Sequence, residues 1–167
     1  MTLLVLSDTH YNSKNIEFAV RQTNPDAVLH LGDNISDAFE LKHKMPELTI
    51  HMVPGNSDPP PRDEGDKLLH IENVNIYLTH GHTHDVKTEL TLLTNRAKKQ
   101  GADLILFGHT HNAAVVYEQD IVLLNPGQME FHNKNKRASY GIVNIEDGKF
   151  DCKTVYLPDT MFNIFEI

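Results

Sequence analysis

Short apolar runs, each ending at a glycine, a carboxylate or an imidazole, constrain this chain more than any other feature. "TLLVLS" (2–7) is a continuous apolar run typical of a strand covered on both faces, "DAVLHLGD" (26–33) reads as a second buried strand and "LTIHMVPG" (48–55) as a third strand. Segments with helical spacing lie between them. Residues 14–23 bring Ile16, Ala19 and Val20 to one face, and 37–45 form a short helix stopped by Pro46. Strands joined by helices run the same way, so this alternation predicts a largely parallel sheet at the start of the chain.

The pattern then changes. Residues 67–81 read as a hairpin turning at Glu72-Asn73 or at Val74-Asn75. Residues 86–100 carry the longest helical pattern, with Leu90, Leu93 and Ala97 inward, a cap at Asp85 and a stop at Gly101. From 102 onward the chain reads as strand, with turns at "EQD", "NPGQ" and "EDGK". A length of 167 residues, 40% hydrophobic, suits one domain spanning 1–167. The loop "PPPRDEGD" (59–66) is stiff but too short to separate domains.

Charge narrows the function classes. The net charge of −8 is wrong for a general nucleic-acid surface. The densest basic tract, "NKNKR" (133–137), reads as a solvated hairpin turn. No apolar run approaches the ~20 residues that span a bilayer, so no membrane is expected. "MTLLVLSDTH" reads as a first strand rather than a leader. The single cysteine, Cys152, excludes an internal disulfide framework and a thiolate metal cage, and reads as a small core hydrophobe. A cytoplasmic location is the resulting expectation, with a homo-oligomer such as a dimer left open.

The chemistry collects at strand ends. The first strand runs into "SDTH" (Asp8, His10), the second into "LGDNISD" (Asp33, Asp37) and the third into "PGNSD" (Asn56, Asp58). The hairpin's return strand ends in "THGH" (His80, His82), and "LILFGHTH" ends in His109 and His111. Alone, each of these residues is a turn former, a cap or a surface polar group. Together they share one expectation, because ligands of open α/β sheets bind beyond the carboxyl ends of strands. Seven donors of N and O type, with no sulfur, suit divalent Mn, Fe, Co, Ni or Zn. Seven is too many for one tetrahedral ion, and two ions sharing a carboxylate, ~3.5–4 Å apart, use them all.

The ordered set D-x-H, G-D-x-x-D, G-N, H and G-H-x-H, over residues 8–111, resembles the calcineurin-like metallophosphoesterase superfamily. In length the chain is similar to its small single-domain phosphodiesterases of bacteria and archaea. The resemblance implies an α/β fold, a four-layer α/β/β/α sandwich of two mixed sheets with flanking helices. It implies that Asp8, His10, Asp33 and His111 hold one divalent ion and that Asp33, Asn56, His80 and His109 hold a second, with Asp33 bridging. Manganese is the first expectation, with nickel, cobalt, iron or zinc also compatible. A water between the ions, deprotonated near neutral pH, would then attack a small phosphoester in line.

Two departures from the family pattern bear on catalysis. Many members have G-N-H-[DE], whose histidine pairs with the second Asp of G-D-x-x-D. Here Ser57 stands in that place, which leaves Asp37 without that partner, and Ala38 replaces an Arg that often follows. His82 could supply the missing acid or a substrate contact. Arg62, the one cation of "PPPRDEGD", is a candidate for a second anionic group. His30 reads as a core histidine, and His43, His51, His70, His84 and His132 are expected outside the site. The competing readings are a non-catalytic scaffold resembling the retromer small subunit, a phosphomonoesterase, and a DNA-processing nuclease, the last requiring basic surface that this chain lacks.

Overall fold

The computed structural model describes residues 1–59, 65–118, 120–130 and 137–158. The expected alternation forms β1 (Thr2–Leu6), α1 (Ser13–Thr23), β2 (Ala27–His30), α2 (Ile35–Lys44) and β3 (Thr49–Met52). These are followed by β4 (Lys67–Ile71), β5 (Val74–Thr79), a 3₁₀ turn at His82–His84, α3 (Thr91–Lys99) and β6 (Leu104–Phe107). Four strands close the described fold: β7 (Ala114–Glu118), β8 (Ile121–Asn125), β9 (Ser139–Glu146) and β10 (Lys149–Tyr156).

Two five-stranded sheets result, ordered β10-β9-β1-β2-β3 and β4-β5-β6-β8-β7. Both are mixed. β1, β2 and β3 run parallel, with β9 antiparallel to β1; β5, β6 and β8 run parallel, with β4 and β7 antiparallel at the edges. Strand periodicity splits the core. Leu3 and Val5 face the other sheet with Leu29, Ile76, Leu104 and Leu106, while Leu4 and Leu6 face Ile16, Ala19 and Leu41 of α1 and α2. On the far side Leu93 and Ala97 of α3 cover Tyr77, Ile105 and Leu123. The layers are therefore α/β/β/α, as expected.

One of the two expected hairpin turns is realised, and two helix boundaries differ from the sequence reading. The hairpin turns at Glu72-Asn73, both at positive φ, which is what a two-residue loop between right-twisted strands requires. The helix expected over 86–100 is confined to Thr91–Lys99, because Asp85 is left-handed and its carbonyl closes a separate turn on the N–H groups of Thr88 and Glu89. α2 begins two residues earlier than expected, at Ile35. Its first N–H groups find an acceptor far away in sequence: Asp58 Oδ1 takes those of Asn34 (3.0 Å) and Ile35 (2.8 Å). No helix among the described residues is long and apolar enough to cross a membrane.

Candidate metal centre

Backbone hydrogen bonds register the strand-end loops against one another. Asp8 N–H donates to Gly32 O at 3.0 Å, Thr9 N–H to Asp33 O at 3.3 Å, and Gly108 N–H to His80 O at 3.0 Å. Close approach explains the glycines. A Cβ on Gly108 would meet Ser7 Oγ and Asp8 Oδ2, and one on Gly55 would meet the Asp33 carboxylate. Five of the seven candidate ligands (Asp8, His10, Asp33, His109, His111) hold positive φ. Asp and His tolerate this region better than most side chains, yet such a concentration is a mark of functional constraint.

Asp8, His10, Asp33 and His111 each bring one ligand atom within 4.8 Å of the others. Asp8 is fully buried. Its Oδ2 accepts from Ser7 Oγ (2.6 Å) and from His109 N–H (3.1 Å), whereas Oδ1 has no well-aligned donor and faces His111 Nε2 at 3.0 Å. Burial alone would raise the Asp8 pKa, but His111, His80 and Ser7 outweigh it and hold the carboxyl below its ordinary value. It therefore stays an anion.

A second group of donors meets the first at Asp33. Asp33 Oδ1 accepts Ser57 N–H at 2.9 Å and lies 3.5 Å from His80 Nε2. His80 Nδ1 donates to Leu31 O at 2.8 Å, which leaves Nε2 facing outward, 3.1 Å from Asn56 Oδ1. Both atoms are of a type that one divalent ion could take as ligands. The His109 ring lies 5.1 Å from that of His80, and burial, then His80, push its pKa down to about 4, which keeps a lone pair available at neutral pH. An orphaned carboxylate oxygen and paired lone-pair donors fit a divalent ion. Thr110, between the two histidines, shapes the turn: its Oγ1 accepts from Asn125 Nδ2 (3.1 Å) and Asn112 N–H (3.2 Å).

The remaining candidates fall in different places. His82 is exposed, with its ring 5.4 Å from His80 and 6.2 Å from His109, and burial is the first cause of its lowered pKa. Asp37 is buried and turned to the loop after β1. Its Oδ2 accepts from Thr9 Oγ1 (2.5 Å) and Tyr11 N–H (3.0 Å), and burial raises its pKa. Thr9 links it to His30, whose Nδ1 accepts Gly32 N–H and whose Nε2–H therefore points at Thr9 Oγ1, 3.1 Å away. His30 is thus the satisfied buried histidine that the sequence predicts. Ser57 is exposed and contributes its backbone to Asp33, its hydroxyl lying 3.5 Å from Asn56 Nδ2. Arg62 and His132 lie outside the described residues.

Sequence reasoning missed a polar hub beside this cluster. Asp66 accepts from Tyr77 OH (2.6 Å), Thr79 Oγ1 (2.6 Å) and His84 Nε2 (2.9 Å), with Arg96 Nε at 3.3 Å. Burial would raise its pKa, but these donors hold it below the ordinary value. The alternation of His80, His82 and His84 was the available signal, since it continues the strand-end histidines two residues further.

Carboxylates and imidazoles gathered at the strand ends of a two-sheet α/β/β/α sandwich define a class of cation-binding proteins. Residues 1–148 match the calcineurin-like phosphoesterase superfamily domain, and the chain belongs to that family. It is 30% identical to the probable metallophosphoesterase YsnB of Bacillus subtilis over 99% of this chain and 95% of that one. It is also 27% identical to the phosphodiesterase MJ0936 of Methanocaldococcus jannaschii, over 77% and 84% respectively. Among solved structures, a predicted phosphoesterase of Streptococcus pneumoniae superposes with a TM-score of 0.74 at 28% identity, over 93% of this chain and 88% of that one. Zinc-complexed Vps29 of Entamoeba histolytica gives 0.74 at 21% identity, over 93% and 99%, and shares the fold.

Proposed function

We propose that this chain is a metal-dependent phosphodiesterase holding two divalent ions, manganese first, with Asp33 shared between them. The observation that carries the reading is the position of Asp33: it belongs to the cluster with Asp8, His10 and His111, and its Oδ1 also lies 3.5 Å from His80 Nε2, beside Asn56. Bound ions would supply Lewis acidity to a water and to the phosphoryl oxygens. The chain's own residues do the rest. The Leu31 carbonyl fixes the His80 tautomer, the Ser57 and His109 N–H groups orient the carboxylates of Asp33 and Asp8, and exposed His82, its ring 5.4 Å from that of His80, is assigned the role of proton donor to the leaving oxygen.

A diester suits this site better than a monoester. A monoester dianion asks for more positive charge, and Arg96, the one Lys or Arg among the described residues of the adjoining cavity, is tied to Asp66. The relative named a phosphodiesterase supports the same choice. The test is hydrolysis of bis(p-nitrophenyl) phosphate and p-nitrophenyl phosphate by metal-stripped protein with Mn, Ni, Co, Zn or Mg restored in turn. The expected result is diester turnover that requires added metal and vanishes in Asp33→Ala. Turnover that survives both chelation and Asp33→Ala would sink the reading.

A further inference from the structure

A cavity of about 670 Å³ opens directly off the ligand donors Asn56 and His80. Its lining includes the 3₁₀ turn and residues of α3, among them Leu92, 52% exposed, together with Pro54. Cavities of about 300–1,000 Å³ hold small organic ligands. Among the described residues the exposed wall is mostly apolar, and its carboxylates and its one Arg are already engaged. Asp66 takes up Arg96 and His84, and Asp58 spends its oxygens on the N–H groups of Asn34, Ile35 and Gly55. Among the described residues, a second phosphate would find little uncompensated positive charge there. A flat ring would find Leu92 and Pro54 to lie on, with Thr83 and His82 offering polar edges. His84 is 3% exposed and Asp66 binds it together with β5, so the floor is formed before any ligand arrives.

We infer that this cavity receives the uncharged, ring-bearing alcohol of the substrate diester, an aryl group or a nucleoside, while the phosphate sits at Asn56 and His80. The inference rests on the phosphodiesterase reading above and adds a substrate class to it. Leu92, Thr83 and Pro54 then set specificity, and Asp66 is a positioning residue that holds His84 and Arg96.

Calorimetric titration of the manganese-loaded protein with phenyl phosphate and with methyl phosphate isolates the ring. Phenyl phosphate should bind about tenfold more tightly, the size of discrimination that one apolar group gives in a pocket. Leu92→Glu, and independently Thr83→Tyr from an exposed position, should each bring that ratio close to one. Thymidine 5′-monophosphate in the same titration tells a nucleoside site from an aryl site by whether it binds more or less tightly than phenyl phosphate. Equal affinity for phenyl and methyl phosphate in the wild type, or a ratio untouched by both variants, overturns the inference. Diester hydrolysis without ring discrimination removes the cavity inference alone. Ring discrimination without hydrolysis of bis(p-nitrophenyl) phosphate keeps the ring site and removes the phosphodiesterase reading.

Discussion

His30 and His82 show how differently one side-chain type is used within this end of the sandwich. His30 is buried in β2 between Gly32 N–H and Thr9 Oγ1, and burial pushes its pKa down to about 4. The unfolded imidazole takes a proton near pH 6.5 and the folded one near pH 4, so between those values the unfolded chain binds more protons. Acidifying metal-free protein from pH 6.5 to 4 should therefore remove stability, with His30 accounting for up to ~3 kcal/mol of the loss. Urea unfolding across that range checks it, and His30→Gln should flatten the slope. His82 is the opposite case, exposed beside the rings of His80 and His109. Ser57 cannot donate a proton as an imidazolium can, and general-acid help is worth ~10²–10⁴-fold. His82→Ala should slow diesters with alkyl leaving groups by about 10²-fold and leave p-nitrophenyl esters within about threefold. A plot of log kcat/KM against leaving-group pKa that keeps its slope in the variant would show that another group donates.

At the scale of elements, the strands and α1 were legible and the starts of α2 and α3 were not. β1 and β2 announce themselves because strands covered on both faces are nearly continuous apolar runs, β3 at the sheet edge shows as a shorter mixed run, and Asp8, Asp33 and Asn56 follow where those runs stop. The start of α2 could not be read locally, since Asp58 supplies its acceptor from 24 and 23 residues away. The shortening of α3 has a similar origin: the left-handed Asp85 closes a turn that breaks the helical pattern after Val86, although Val86 still packs into the α3 core. The Asp66 hub joins the start of β4 to β5, the 3₁₀ turn and α3, contacts that no sequence spacing encodes. Asp58→Ala would strip acceptors from three backbone N–H groups and loosen the link between α2 and Gly55. It should cost ~1–3 kcal/mol in urea unfolding and weaken metal retention through the adjacent Asn56. Asp58→Asn, which keeps one acceptor oxygen, should recover part of both. Full stability in Asp58→Ala would contradict the capping role.

Across the whole molecule, two sheets from separate stretches of chain face each other across one core and bring their strand ends to one edge. One sheet delivers Asp8, His10, Asp33 and Asn56, and the other delivers His80, His109 and His111. The hydrogen bond from His80 Nδ1 to Leu31 O locks the two halves in register at the site. Sheet packing and ligand geometry are thus coupled, and the account depends on Asp33 standing where the two donor groups meet. The most direct measurement is elemental analysis of metal retained per chain after dialysis against manganese, made on wild type, Asp33→Ala and His111→Ala. The proposed two-ion site predicts two ions per wild-type chain, loss of both in Asp33→Ala and loss of mainly one in His111→Ala. A single tightly held ion in the wild type, unaffected by Asp33→Ala, would contradict it.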